Sequence, residues 1–283
     1  MSKVISVDLY ADFGLLKKPD TNDPMYFTFN MLHKPALLGI LGAIIGEKGF
    51  FDVAKLSTTE GKGRNATSAY QRGIKPDYYS KLEHLKIAIK PSDSISNRGV
   101  FIKDSLKYNN GTGYASEEIG GNLIITEQFL IKPAYRCFIM FENMDDTEEK
   151  LFTYLKNSWA EFLPYLGKND FSLWWQNFDE YELNYFNPDR ETSFMIDSIF
   201  IKDSPVKDGK EKVMRFKPSG NLDNSKFMYF ENLPVSYNTT LWQYNYESFA
   251  YTNFSLKAEY EVKDLFTVSS ISKTDNEKIV QFF

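Results

Sequence analysis

The chain has 283 residues, of which 42% are hydrophobic and 25% are charged, so it can bury a substantial core. This composition excludes disorder, a collagen-like repeat or a coiled coil over most of the length. The net charge of −5 argues against a protein that binds nucleic acid through a generally basic surface.

The chain begins with a strand-like segment, since residues 3–10 alternate in hydropathy. Residues 11–34 form a polar connection. A helix is predicted from Pro35 to about Gly46, because proline suits the first helical position and the run is apolar on nearly every side. A second strand is predicted over residues 85–90.

A long segment rich in Ser, Asn and Gly follows, over residues 92–122. It predicts a protruding hairpin or loop with a turn at Asn110-Gly111, and a loop of this length is usually functional or disordered. Strands are predicted next, over about 123–131 and over 135–141.

The next predicted helix begins at Glu148 and ends at about Trp159, with Asp146 or Thr147 as its cap. The acidic residues around its start are interpreted as a solvated helix end, favoured by the helix dipole. A strand is predicted over 171–178. Five further short β segments are predicted at 194–201, 212–217, 226–232, 241–249 and 254–262.

The element order up to residue 178 is βαββαβ, which predicts an α+β fold of the ferredoxin-like, RNA-recognition type. Residues 1–190 are expected to form this domain, and residues 191–283 are expected to form a β-rich C-terminal region.

Three glycines recur on the first predicted helix, Gly39, Gly42 and Gly46, and give it one smooth face. Close packing on a sheet is the expected reason. Approach of a nucleic-acid backbone or of a partner helix is the alternative.

Charge is unevenly distributed along the chain. Residues 1–140 contain 18 basic and 14 acidic residues, residues 141–190 contain 4 and 11, and residues 191–283 contain 11 and 13. The N-terminal half is therefore the expected polyanion surface, and the acidic middle is expected to face another partner.

Residues 55–98 carry 9 basic and 4 acidic residues with interleaved tyrosines. This pattern is typical of single-stranded RNA binding and also of a solvated face.

Cys137 is the only cysteine, so no internal disulfide bond can form, which fits a reducing compartment. The N-terminus does not resemble a signal peptide. The longest apolar run, residues 35–46, is shorter than the roughly 20 residues of a membrane span. The expectation is a cytoplasmic protein that contacts no membrane.

Several catalytic signatures are absent from the sequence, including the P-loop, G-x-S-x-G, C-x-x-C and H-E-x-x-H. One Cys and two His cannot build a Cys/His zinc site, so neither a metal nor a cofactor is predicted. His33 and His84 are interpreted as structural or surface residues. His33 and Lys34 precede the apolar helix, where the helix N-terminus favours a phosphate.

Three segments of the chain resemble the fifth CRISPR-associated (Cas) protein family. Residues 11–50, ADFGLLKKPDTNDPMYFTFNMLHKPALLGILGAIIGEKGF, are similar to its N-terminal signature of a basic-Pro pair, an aromatic stretch and a Gly-spaced apolar helix. Residues 127–141 resemble the family's strand pair around Pro-x-Tyr-Arg, and residues 163–173 resemble its Leu-Gly-basic-x-x-Phe motif. Leu233-Pro234-Val235 resembles a C-terminal feature of the family.

The resemblance implies a subunit of a type I CRISPR surveillance complex (Cascade), of the I-B kind, that caps the 5′ repeat-derived handle of CRISPR RNA. It implies an RNA-recognition-like domain with a thumb insertion at about 92–122. The implied partners are the CRISPR RNA, the backbone subunit and the large subunit, with target DNA reached only through the complex. The candidate RNA-binding residues are Lys17, Lys18, His33, Lys34, Lys62, Arg64, Arg72, Arg98, Lys103, Lys107, Tyr108, Arg136 and Lys168.

Two other functions stay open on the sequence. One branch of the same family processes precursor CRISPR RNA as a metal-independent endoribonuclease, and His33, Lys34 and Tyr26 would be the catalytic candidates here. The second alternative is a protein-interaction β module that does not contact RNA. The expectation is a subunit without catalytic residues.

Overall fold

A computed structural model describes residues 2–19, 25–50, 59–60, 67–68, 73–92, 98–109, 124–187, 193–202, 226–257, 262–273 and 277–283. The fold is α+β, with several β-sheets and few helices. The helices are α1 (Lys34–Ile45), α2 (Asp77–Leu82) and α3 (Asp146–Asn157). The strands are β1 (Lys3–Ala11), β2 (Phe13–Gly14), β3 (Thr59–Glu60), β4 (Thr67–Ser68), β5 (Lys86–Pro91), β6 (Ile102–Asn109), β7 (Ile124–Ile131), β8 (Ala134–Phe141), β9 (Leu173–Tyr185), β10 (Ser193–Phe194), β11 (Phe200–Ile201), β12 (Met228–Asn238), β13 (Gln243–Thr252), β14 (Leu256–Lys257), β15 (Leu265–Ser270) and β16 (Lys278–Gln281).

The largest sheet has six antiparallel strands in the order β16-β15-β9-β1-β8-β5. Side chains alternate across it, because successive residues of a strand point to opposite faces. Ile5, Val7 and Leu9 of β1 lie in the main core, which also contains the buried residues of α1 and α3. Both helices therefore cover the same side of this sheet.

The two edges of the six-stranded sheet meet. Phe283, just after β16, exchanges two backbone hydrogen bonds with Ile87 of the opposite edge strand β5, at 3.2 and 3.0 Å. A second apolar cluster fills the space enclosed by the strands, and its buried members are Val4, Ala88, Phe138, Met140, Tyr181, Val268, Val280 and Phe282. This face of the sheet is therefore part of a closed interior.

Strands from the C-terminal region belong to this sheet, because β15 pairs with β9 and β16 pairs with β15. The remaining described residues of that region include a long hairpin of β12 and β13, flanked by the short strand β11, and a separate pair of short strands, β10 and β14. The strand predicted at 212–217 lies outside the described residues. The domain boundary near residue 190 stays a prediction, and strands from both sides of it share one sheet.

A separate three-stranded sheet has the order β2-β7-β6 and is called the hairpin sheet below. Its strands β6 and β7 form an antiparallel hairpin in which Ile102 pairs with Ile131 and Asn109 with Ile124. The predicted hairpin therefore uses the strand expected at 123–131 as its second arm. The turn predicted at Asn110-Gly111 lies outside the described residues.

Gly42 of α1 packs against α2, and Gly46 at the end of α1 packs against the loop after α3, so the expectation that this face packs on a sheet is wrong. A Cβ at Gly42 would lie 2.4 Å from the Cβ of Tyr78 in α2. Gly46 ends the helix at φ +81°, where a Cβ would meet the Glu161 side chain at 2.8 Å. A Cβ at Gly39 would have no atom of the described part of the chain within 4 Å.

These surroundings predict opposite effects for two alanine substitutions in one helix. Gly42→Ala should lower the free energy of unfolding by about 1–3 kcal/mol, since Tyr78 must move away with its backbone. Gly39→Ala should raise it by up to about 1 kcal/mol, because alanine is the better helix former and the space is open. Urea denaturation of both variants measures the difference, and equal effects would contradict the α1–α2 contact.

Helix α3 begins at Asp146, two residues before the predicted start at Glu148, and its cap lies before both predicted candidates. Asp145 is its cap, and its Oδ1 accepts the N–H groups of Thr147 and Glu148, both at 2.9 Å. Glu148 is wholly buried, so its assignment to a solvated helix end is wrong. Its carboxylate accepts the N–H groups of Asn143 and Met144 and contacts His84 Nε2 at 2.9 Å, and these partners compensate its burial.

Within the described part of the chain, no helix is long and apolar enough to cross a membrane. Nor does that part contain a group of three or more His, Cys, Asp or Glu side chains arranged to hold a metal ion.

Candidate nucleic-acid interface

One face of the hairpin sheet collects cations and aromatic rings. Leu106 pairs with Glu127 and Tyr108 with Ile125, while Tyr26 lies beside Glu127 in a parallel bridge. Directly paired residues of a sheet share a face, so Tyr26, Tyr108 and Glu127 project to the same side. This surface, with the side chains that contact it, is called the aromatic face and comprises Phe13, Lys17, Tyr26, Tyr108, Glu127, Phe129, Lys168 and Phe171.

Two cation–aromatic pairs lie on this face. The ammonium of the exposed Lys17 is 3.6 Å from the centroid of the Tyr26 ring. The ammonium of Lys168 is 4.3 Å from the centroid of the Tyr108 ring and 2.5 Å from Oε2 of Glu127. Since Tyr26 is next to Glu127, the two pairs form one continuous stripe across the sheet. Such a stripe offers charge to phosphates and rings to bases.

The Lys168 ammonium remains a cation at neutral pH. Partial burial lowers its pKa, but hydrogen bonds to Glu127 and Tyr108 more than compensate, and the pKa is raised overall. Its side chain is 24% exposed and that of Glu127 is 14% exposed, so the pair lies at the edge of solvent. A phosphate that approached Lys168 would compete with this carboxylate.

Lys168 is positioned by a tight loop whose backbone is fixed on two sides. Leu166 N–H donates to the Phe171 carbonyl at 2.8 Å, and Leu15 N–H donates to the Leu166 carbonyl at 3.0 Å. Gly167 has φ +87°, and a Cβ there would lie 1.7 Å from the Leu15 carbonyl oxygen. Only glycine fits this close approach, which explains the Gly-basic pair in the sequence motif.

Three phenylalanines join the loop to the hairpin sheet. The ring centroid of Phe13 lies 5.4 Å from that of Phe129 and 5.9 Å from that of Phe171. Phe171 is only 8% exposed, whereas Phe13 is 43% exposed. The Lys168 ammonium lies 6.0 Å from the Phe171 centroid, so the cluster borders the charged stripe.

Other predicted residues lie on the opposite side of the hairpin sheet. Lys103 and Lys107 alternate with Tyr108 along β6 and therefore point away from the aromatic face. Lys103 Nζ donates to the Thr28 carbonyl at 3.4 Å, and Lys18 Nζ is 3.7 Å from Glu231. Burial lowers the Lys103 pKa, while Glu231 opposes this effect and Lys18 adds to it.

His33 precedes α1 and Lys34 begins it, and neither residue belongs to the aromatic face. His33 caps the helix, because its Nδ1 accepts the Ala36 N–H at 3.3 Å, and it is only 5% exposed. Burial lowers the His33 pKa to about 3, so the ring is neutral and carries its proton on Nε2. Lys34 Nζ donates to the Phe283 carbonyl at 3.2 Å, and burial lowers its pKa to about 8.

The buried His33 predicts a specific loss of stability in acid. Below pH 6.5 the unfolded chain binds a proton at His33, whereas the folded chain does not bind it until about pH 3. Between these two pH values, the free energy of unfolding therefore falls by about 1.4 kcal/mol for each pH unit. His33→Asn keeps a capping side chain and should lose about 2 kcal/mol less than the wild type between pH 7 and pH 5. Urea denaturation at both pH values measures this difference. Carbon-detected NMR titration of the ring, with His84→Asn to assign the two histidines, would contradict the assignment if His33 titrated near pH 6.5.

Arg136 and Arg98 complete the predicted residues that the structure describes. Arg136 of β8 makes a bidentate ion pair with Asp8 of β1, at 2.6 and 2.8 Å. Arg98 is exposed and precedes Gly99. Lys62, Arg64 and Arg72 lie outside the described residues. The structure therefore brings together Lys17, Tyr26, Tyr108 and Lys168, and it places the other candidates among the described residues elsewhere.

Sequence reasoning missed four members of the aromatic face as functional residues, namely Phe13, Glu127, Phe129 and Phe171. All four lie within segments that carry the family resemblance, but none of these residue types suggested a site on its own. A negatively charged residue such as Glu127 does not suggest an RNA surface. The bridge between Tyr26 and Glu127 of β7 places this carboxylate between the cations Lys17 and Lys168.

No family model and no curated protein matches the chain. The solved structures that are similar to it include CRISPR-associated proteins. A crystal structure of a Cas protein is 16% identical with a TM-score of 0.31, covering 59% of this chain and 57% of that one. A CRISPR protein from Archaeoglobus fulgidus is 13% identical with a TM-score of 0.42, covering 99% and 98%. A chain of a CRISPR RNA-guided surveillance complex is 11% identical with a TM-score of 0.42, covering 90% and 92%.

Proposed function

We propose that the chain is a non-catalytic RNA-binding subunit of a type I CRISPR surveillance complex, which caps the 5′ handle of CRISPR RNA on its aromatic face. The observation that carries this proposal is the stripe of two cation–aromatic pairs, Lys17 with Tyr26 and Lys168 with Tyr108. Lys17 and Lys168 come from the two sequence segments with the clearest family resemblance.

The proposal includes a ferredoxin-like core. In chain order β1, α1, β5, β8, α3 and β9 follow the βαββαβ pattern, and the four strands are adjacent in the order β9-β1-β8-β5. RNA-recognition domains usually stack bases on the open face of this sheet. Here the face opposite the helices is filled by buried residues such as Phe138 and Val280, so RNA must bind elsewhere, and the hairpin sheet offers the rings.

The contacts of His33, Lys34 and Tyr26 favour the capping role over an endoribonuclease. His33 is buried and its Nδ1 is occupied by the helix cap. Lys34 is bonded to the Phe283 carbonyl, and the Tyr26 ring is covered by Lys17. General acid–base cleavage of RNA needs such groups within hydrogen-bond reach of the reacting phosphate.

The test is binding of end-labelled CRISPR repeat RNA to the purified chain in EDTA, analysed on native and denaturing gels. We expect uncut RNA and salt-sensitive binding. Replacing Lys17 and Lys168 with glutamine should weaken binding and lower the slope of log Kd against log salt by about 0.7 per lysine. The matched control is Lys156→Gln on α3, a 52% exposed lysine outside the face, which should change little.

Glu127→Gln is expected to change RNA affinity in the opposite direction to the lysine variants. It removes the carboxylate that competes for Lys168, so RNA should bind several-fold more tightly. A cleavage product would overturn the non-catalytic assignment. Absence of any RNA binding at low salt, or equal effects of the lysine variants and Lys156→Gln, would overturn the aromatic face as the RNA site.

A further inference from the structure

We infer that Phe13 is a stacking platform for one unpaired RNA base, next to the phosphate contacts of Lys17 and Lys168. This inference rests on the proposed function, since it assigns a base-binding role to a residue of the same face. Phe13 is a 43% exposed phenylalanine in a short strand, where it pairs with Ile131 of β7. An exposed ring beside cations is the arrangement that binds single-stranded RNA without reading its sequence.

The Phe13 ring is held in place before RNA arrives. The ring planes of Phe13 and Phe129 make an angle of 84°, and the ring planes of Phe13 and Phe171 make an angle of 53°. The neighbouring Gly14 packs closely on the loop of Lys168, because a Cβ there would lie 2.5 Å from Leu166 Cδ2. Strand β2 is therefore fixed between the hairpin and the loop of Lys168, and little side-chain entropy is lost when a base stacks.

The position of Phe13 relative to charge favours RNA over a protein as its partner. Phe171 contacts Phe13 on one side and is 6.0 Å from the Lys168 ammonium on the other. A base on Phe13 would thus have a cation within reach of a neighbouring phosphate. The exposed Phe162 and Leu163, at 58% and 87%, lie outside this face and serve for comparison.

The experiment measures the affinity of the full chain for repeat RNA and for a set of RNAs with one abasic site each. Phe13→Leu keeps an apolar side chain against Phe129 and Phe171 but removes the ring, and should weaken binding of intact RNA about tenfold. At one position, removal of the base should weaken binding to the wild type about tenfold. Phe13→Leu should bind that abasic RNA as tightly as it binds intact RNA. Phe13→Trp should retain or improve binding, and Phe162→Leu should change nothing.

The outcomes separate this inference from the proposed function. If the lysine variants lower the salt slope while Phe13→Leu binds intact RNA normally, the stacking role is wrong and the RNA site stands. If Phe13→Leu binds RNA normally but copurifies less of the other complex subunits, Phe13 is a protein contact and the inference is overturned. If Phe13→Leu binds every abasic RNA more weakly than the wild type does, by the same factor as intact RNA, then Phe13 supports the fold of the face and binds no base.

Discussion

Replacing Gly167 with alanine is expected to lower the free energy of unfolding by about 3–5 kcal/mol, the larger of the glycine effects in this chain. Two independent causes add at this position. The φ of +87° is strained for any residue with a Cβ, and the Cβ would lie 1.7 Å from the Leu15 carbonyl oxygen and 2.7 Å from its carbon. Backbone atoms cannot rotate away as a side chain can, and the hydrogen bond from Leu15 N–H to the Leu166 carbonyl ties the two segments together.

The matched control is Gly73→Ala. Gly73 has φ +89°, but among the described residues a Cβ there would meet only Thr240 Oγ1, at 3.8 Å. It reports the backbone strain alone, about 1 kcal/mol, so the difference between the variants in urea denaturation isolates the close approach. Gly167→Ala should also weaken RNA binding at temperatures where the chain stays folded, because Lys168 is the next residue. Equal stability losses in the two variants would contradict the packing of this loop against Leu15.

Elements with a regular hydropathy pattern could be predicted from the sequence, because residues alternate in β1 and are mostly apolar along α1 and β8. Strand β1, helix α1 and strand β8 are each buried over most of their length, so burial and local propensity favour the same structure. The closure of the large sheet could not be predicted. It depends on a pair of backbone hydrogen bonds between Phe283 and Ile87, and backbone groups leave no side-chain pattern in a sequence.

The candidate site was predictable in residue type but not in arrangement. Basic charge, aromatic side chains and the family motifs made candidates of Lys17, Tyr108 and Lys168. The order of charges along the chain, however, does not show which cations share a face of the folded protein. Glu127 and Lys168 are 41 positions apart and meet only because β7 and the Gly167 loop fold together. Glu148 shows the same limit, since an acidic residue at a helix start gives no sign that backbone N–H groups enclose it.

The ion pair between Asp8 and Arg136 carries the second large expected effect. Asp8 is 3% exposed, and its carboxylate accepts hydrogen bonds from Arg136 Nε, Arg136 Nη2 and Asn177 Nδ2. Asp8→Ala removes the carboxylate that pairs with the partly buried Arg136 guanidinium and should lower the free energy of unfolding by about 3–5 kcal/mol. The matched control is Glu180→Ala, whose carboxylate is 28% exposed and pairs with Lys3 and Lys156, and it should cost less than about 1 kcal/mol.

The double variant Asp8→Val/Arg136→Met separates stability from RNA binding. Removing both charges together avoids an uncompensated buried ion, so most of the stability lost in Asp8→Ala should return. If the Arg136 guanidinium is committed to Asp8, the double variant should bind repeat RNA as tightly as the wild type. A tenfold weaker affinity in a stably folded double variant would show instead that Arg136 contacts RNA, as the sequence motif predicts, and that the interface extends from the hairpin sheet to the end of β8.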